Sequence, residues 1–164
     1  MDKVKFGLTN PLAFQAVLWS QLPLAAFAGL RIVRLDDTGA EVSLPAGWKT
    51  RNPFRSTYFA AQAMAAEMSC GAPALWFIDR TGIRVSSLVT GISAKFTKQA
   101  RSEARFVFKG GNEMRAAIEK AARGEEPTTY TARSVGTTSD GTQVAEFTVE
   151  WSFKKKSAKK NGAG

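Results

Sequence analysis

The stretch from Arg51 to Gly71, RNPFRSTYFAAQAMAAEMSCG, limits the folds open to this chain more than any other. It opens with turn formers and becomes a helix, and between Arg55 and Asp79 the only charged side chain is Glu67. Ala60, Ala61, Ala63, Met64, Ala65, Ala66, Met68 and Cys70 put small or soft side chains on every face. A helix that is apolar all round is a buried one, and its small side chains let a sheet approach closely. A lone carboxylate in such a helix is costly unless it is paired, hydrogen-bonded or protonated. Glu67 is therefore the first residue that needs a reason.

The remaining composition narrows the class. A chain of 164 residues with 44% hydrophobic and 23% charged side chains has enough apolar mass for one soluble domain. We assign residues 1–153 to that domain and 154–164 to a basic, disordered tail. Five lysines fall in the tail, and without them the net charge of +9 drops to about +4. The tail reads as a solvated end. No helix-turn-helix, RNA-binding or zinc-finger pattern is present, so no nucleic-acid partner is expected. A single cysteine, Cys70, rules out an intrachain disulfide, and the lack of histidine rules out His-dependent triads and His-based metal sites. Gln62, Glu67, Ser69, Gly71 and Pro73 interrupt the apolar run of this helix, so no integral membrane segment is expected from it. The opening MDKVKFGLTNPLAF has an acid and a turn where a signal peptide needs an apolar core, which predicts a cytoplasmic protein.

Along the chain, Asn10 is a good N-cap and Pro11 a good first residue for a helix that Pro23 ends. A strand is predicted near Leu30–Leu35, a hairpin turn at Asp36-Asp37-Thr38-Gly39, and a second strand with Ala40, Val42 and Leu44 alternating. The apolar helix follows. Beyond Gly71 and Pro73 the pattern changes period: Leu75–Asp79 reads as a short apolar run and Arg80-Thr81-Gly82 as a turn. Ile83 and Val85 then read as one strand, Ile92, Ala94 and Phe96 as another, and Ala104, Phe106 and Phe108 as a third. Asn112 is placed as the cap of a surface helix over Glu113–Arg123, ended by Gly124. Thr128–Val135 and a last strand, with Phe147, Val149, Trp151 and Phe153 on one face, close the chain. The expected fold class is α+β, a twisted antiparallel sheet wrapped around a central buried helix.

That order, with one spaced motif, resembles the hotdog fold of the acyl-CoA thioesterase superfamily, in the branch of the phenylacetate-degradation thioesterases and their uncharacterised relatives. The resemblance covers about Pro11 to Phe153. In that branch an Asn lies six residues before a His-Gly-Gly at the helix start, and an acid lies nine residues after the His. Here Asn52 matches the Asn, Tyr58 stands at the His, Phe59 and Ala60 replace the glycines, and Glu67 falls at the acid. The resemblance implies an acyl-CoA thioesterase in which Glu67 is the catalytic base or nucleophile and Tyr58 a hydrogen-bond donor. It implies substrate binding at Asn52, Phe59 and Ala60, and no cofactor beyond the CoA of the substrate. The alternative is a non-catalytic hotdog module that binds an acyl chain or acyl-CoA.

Nine helical residues separate Tyr58 and Glu67 by ~13 Å along the axis and place them on opposite sides. One helix cannot aim both at one carbon. Two antiparallel copies in a two-fold dimer can, and the resemblance implies this arrangement, a homodimer or homotetramer with two sites per dimer. Arg51 and Arg55 flank the helix start as candidates for an acyl carboxylate or a CoA phosphate. Lys95, Lys98 and Arg101 surround a strand turn as a second such group. Cys70, with no histidine to activate it, reads as packing.

Overall fold

A computed structural model of the chain describes residues 2–156. From position 157 onward the predicted tail lies outside the described residues, and the last strand runs on through Lys154 and Lys155 before it.

Three short helices open the chain: α1 (Lys3–Thr9), α2 (Pro11–Gln21) and α3 (Pro23–Ala28). Asn10 caps α2 as expected, its Oδ1 accepting from Leu12 N at 3.1 Å and Ala13 N at 3.0 Å. Pro23 ends α2 and serves as the first residue of α3. The sequence reading did not foresee α1. Asp2 caps it by accepting from Lys5 N at 2.9 Å, and the same carboxylate accepts the indole N–H of Trp76, tying α1 to the central helix.

Six strands form one sheet: β1 (Arg31–Asp36), β2 (Gly39–Leu44), β3 (Val85–Phe96), β4 (Ala104–Phe108), β5 (Thr128–Thr138) and β6 (Gln143–Lys155). They lie in the order β1-β2-β4-β5-β6-β3, every neighbouring pair antiparallel. The central helix α4 (Phe59–Arg80) crosses the inner face, and α5 (Gly111–Arg123) packs beside it. Alternation in β6 works as read: Phe147, Val149, Trp151 and Phe153 are buried, while Glu150 on the other face is exposed. The small residues of α4 bring helix and sheet within hydrogen-bond range. Ser69 Oγ lies 2.8 Å from Ser134 Oγ of β5, both fully buried.

Three local readings need correction. The helix does not stop near Gly71; it continues through Pro73 to Arg80, so Leu75–Asp79 is its last turns and not a separate run. An interior proline costs about 3 kcal/mol, here offset by burying Pro73, Trp76 and Phe77 against the core. The segments at Ile83–Val85 and Ile92–Phe96 belong to one twelve-residue strand, β3, which shifts register between Val89 and Gly91. That irregularity breaks the two-residue period that sequence reading relies on. Asn112 does not cap α5; Gly110 does, and Asn112 lies inside the first turn.

Candidate active site

The α4 N-terminus is built by the loop before it. An antiparallel bridge pairs Arg51 with Thr57. Within the loop Asn52 Oδ1 accepts from Phe54 N at 3.0 Å and Ser56 N at 3.2 Å, and its Nδ2 donates to Ser56 Oγ at 3.1 Å. Asn52 thus organises the turn with its side chain and also lines the cleft beyond it. Thr57 N donates to Ala100 O and Tyr58 N to Thr50 O, both at 2.7 Å, which fixes where the helix begins.

Tyr58 is the N-cap residue, with extended dihedrals and no side-chain capping bond. The first N–H taken up inside the helix is that of Gln62, donating to Tyr58 O at 3.2 Å. The N–H groups of Phe59, Ala60 and Ala61 are therefore left without an intrahelical acceptor at the positive end of the helix dipole. They open beside a cleft of about 540 Å³ lined by Asn52, Phe54, Tyr58, Phe59, Gln62 and Phe96, among others. The Tyr58 and Phe59 rings pack edge to face with centroids 4.7 Å apart, and both are largely exposed.

Sequence reasoning missed Gln62, using it only as an argument against a membrane span. It is buried in the wall of this cleft; Nε2 donates to Thr57 O at 3.1 Å, and Oε1 has no partner among the described residues. The available signal was an amide four residues after the N-cap in a helix otherwise stripped of polar side chains.

Glu67 lies about two and a half turns beyond Tyr58 and faces a different cavity, about 250 Å³, between α4, the N-terminal helices and the sheet. Phe14, Leu18, Met68 and Trp151 make it apolar. Among the described residues no cation or hydrogen-bond donor pairs with Glu67, and burial alone raises its carboxyl above the ordinary glutamate value. Asn52, Tyr58 and Phe59 therefore share one cavity, and Ala60 is half-buried one residue inside the helix. Arg55 lines an adjoining concavity together with Arg51 and Arg101, and Glu67 stands apart in its own. Cys70 is fully buried, and desolvation pushes its thiol up to about 12.

Among the described residues β1 and β3 are the two open edges of the sheet. Ile92, Ala94 and Phe96 of β3 sit opposite Val149, Phe147 and Ala145 of β6. The β6 partners are buried under the helix, whereas Ile92 and Phe96 stay about half exposed. No helix among the described residues is long and apolar enough to cross a membrane.

A six-stranded antiparallel sheet with a long apolar helix on its inner face is the hotdog architecture. Solved structures share it. A probable thioesterase of unknown function from Pseudomonas aeruginosa superposes with a TM-score of 0.76 at 21% identity, over 91% of this chain and 99% of that one. A protein of unknown function from Chlorobaculum tepidum gives 0.75 at 14% identity, over 92% and 99%. A thioesterase from Haemophilus influenzae gives 0.64 at 12% identity, over 92% and 94%. No curated protein matches the chain. Residues 11–153 match the family model described as a domain of unknown function, DUF4442, and the chain belongs to that family.

Proposed function

We propose that this protein hydrolyses an acyl thioester to free acid and thiol, as a dimer or a tetramer of dimers. Each site joins the α4 N-terminus of one chain to Glu67 of its partner. The observation that carries this reading is Glu67 itself: a half-buried carboxylate with no partner among the described residues, facing an apolar cavity. A structural acid would be paired. An unpaired one with a raised pKa is better suited to take and return a proton. The fold is shared with proteins described as thioesterases. Kinship with the phenylacetate-degradation branch is part of the proposal and rests on the Asn52–Tyr58–Glu67 spacing.

In this mechanism the thioester carbonyl oxygen lies against the free N–H groups at Phe59 and Ala60. Glu67 of the partner takes a proton from water as the water oxygen attacks the carbonyl carbon. The helix-start N–H groups hold the oxyanion that develops. The intermediate collapses by breaking the C–S bond, and the thiolate recovers a proton from Glu67 or the Tyr58 hydroxyl. The N-terminal helices α1 and α2 wall the acyl side of the site.

Thiol release from a panel of acyl-CoAs, short to long and including aryl-acetyl forms, tests this with Glu67→Ala alongside. Release by the wild type that disappears in the variant is the expected result. Acyl-CoA binding with no release from any thioester would establish the non-catalytic module instead.

A further inference from the structure

Among the described residues six arginines are ion-paired: Arg34, Arg80, Arg105, Arg115, Arg123 and Arg133. Even in the arginine-rich hollow beneath α5 each arginine has a carboxylate partner, Asp37 shared by Arg80 and Arg115, and Glu119 serving Arg123. Arg51, Arg55 and Arg101 behave differently. They line one concavity of about 240 Å³, and among the described residues none of them meets a carboxylate. Among the described residues Arg101 finds only the Gln99 amide oxygen, at 3.1 and 2.7 Å. Three guanidinium groups held together without a counter-charge repel one another, so the hollow is arranged for an anion that comes from outside.

Three further observations bear on the ligand. Trp48 lines the same hollow, is 69% exposed, and is braced edge-on by Phe27 with centroids 5.8 Å apart. It supplies a flat apolar surface beside the charges, as a heterocyclic base requires. Arg55 has a φ of +61°, a left-handed conformation that is strained for a non-glycine residue. Glycine or asparagine would sit there with less strain, and the position keeps a guanidinium. The hollow also shares Ser56, Thr57 and Ala100 with the cleft at the α4 N-terminus, so one extended ligand can occupy both.

We propose that this hollow binds the adenine nucleotide end of coenzyme A, with the phosphates on Arg51, Arg55 and Arg101 and the base against Trp48. The inference rests on the thioesterase reading for the identity of the rest of the ligand, and it selects acyl-CoA over an acyl carrier protein as substrate. A carrier protein would meet a broad charged surface; the arginines here converge in a small concavity with an aromatic ring at its side.

The test is titration calorimetry of the full chain with adenosine 3′,5′-bisphosphate at low salt, with AMP and inorganic pyrophosphate as controls. Saturable binding of one bisphosphate per chain is expected, weakening with salt and weaker for AMP, which lacks the second phosphate. Arg51→Ala and Arg101→Ala should each weaken it about tenfold, and Trp48→Ala should narrow the gap between the bisphosphate and pyrophosphate. Melting curves confirm that the variants fold. Failure of the wild type to bind, or undiminished binding by the arginine variants, overturns the site. Kinetics separate this from failure of the hydrolase reading. The ratio of kcat/KM for an acyl-CoA to that for the matching acyl-pantetheine should exceed about tenfold and fall toward unity in Arg51→Ala/Arg101→Ala. Equal use of acyl-pantetheine, or preference for an acyl carrier protein, sinks the nucleotide site and leaves the hydrolase. Bisphosphate binding without turnover of any thioester does the reverse.

Discussion

Gly71 stands one helical turn beyond Glu67, so close that a Cβ at Gly71 would lie 2.9 Å from Glu67 Oε1 and 3.6 Å from Trp151 Cη2. The missing side chain leaves room for the carboxylate on an otherwise crowded helix face. Gly71→Ala should therefore move the acid by a few tenths of an ångström while improving helix propensity by up to about 1 kcal/mol. We expect kcat/KM to fall about tenfold or more with the melting temperature unchanged or raised. A parallel loss of stability and activity would mean that the glycine serves helix packing and not the position of Glu67.

Burial also makes Glu67 a pH-dependent liability. Burial holds its carboxyl in the folded chain above the ordinary glutamate value of 4.5. The native state therefore holds a proton that the unfolded chain has lost, and stability falls as pH rises from the unfolded pKa through the folded one. The reaction needs the ionised form, so activity should rise across the same window. Glu67→Gln should abolish turnover and raise the melting temperature at about pH 8. The gain should vanish below about pH 4, where both states are protonated. No gain at alkaline pH would mean that Glu67 is paired in solution.

The fold was legible where sequence periods are simple. The buried helix announced itself by its all-round apolar surface, β6 by strict alternation, and α2 by Asn10 and Pro11. It was less legible where tertiary contacts overrule local rules. Pro73 signals a stop, yet Trp76 and Phe77 hold the helix on the core. The irregularity between Val89 and Gly91 disguised one strand as two, and the Cβ position at Gly91 is filled by Glu150 Oε2, 2.7 Å away. Helical spacing also put Tyr58 and Glu67 apart, and the two line separate cavities. The convergence of Arg51 and Arg55 with Arg101 was not legible, because it depends on Thr57 N bonding Ala100 O across a distance in sequence that no local pattern encodes.

Cys70 offers a direct probe of the core around the acid. It is fully buried, its thiol sits near 12, and the nearby Glu67 charge adds to the effect of burial. A thiolate is needed for reaction with an aromatic disulfide reagent. Native protein should stay unmodified over hours at neutral pH, and the single thiol should react fully in denaturant. Fast modification of the folded chain would show that α4 opens locally next to the proposed catalytic acid.

The edge strand makes the strongest demand on the site model. β3 is twelve residues long, unpaired on one side, and exposes Leu88, Ile92 and Phe96. Such an edge invites pairing with a second copy, and the separate cavities of Tyr58 and Glu67 require one for the proposed chemistry. The chain should size as a dimer or larger, and Ile92→Lys should give monomers without turnover. A sharper test mixes two inactive variants. Phe59→Pro removes one N–H at the helix start, where proline is well tolerated, and Glu67→Ala removes the acid. A random mixed population is half heterodimers, each with one intact site, so about a quarter of wild-type activity should return. If the mixture stays as inactive as its parents while both variants still dimerise, each chain works alone and the shared site is wrong.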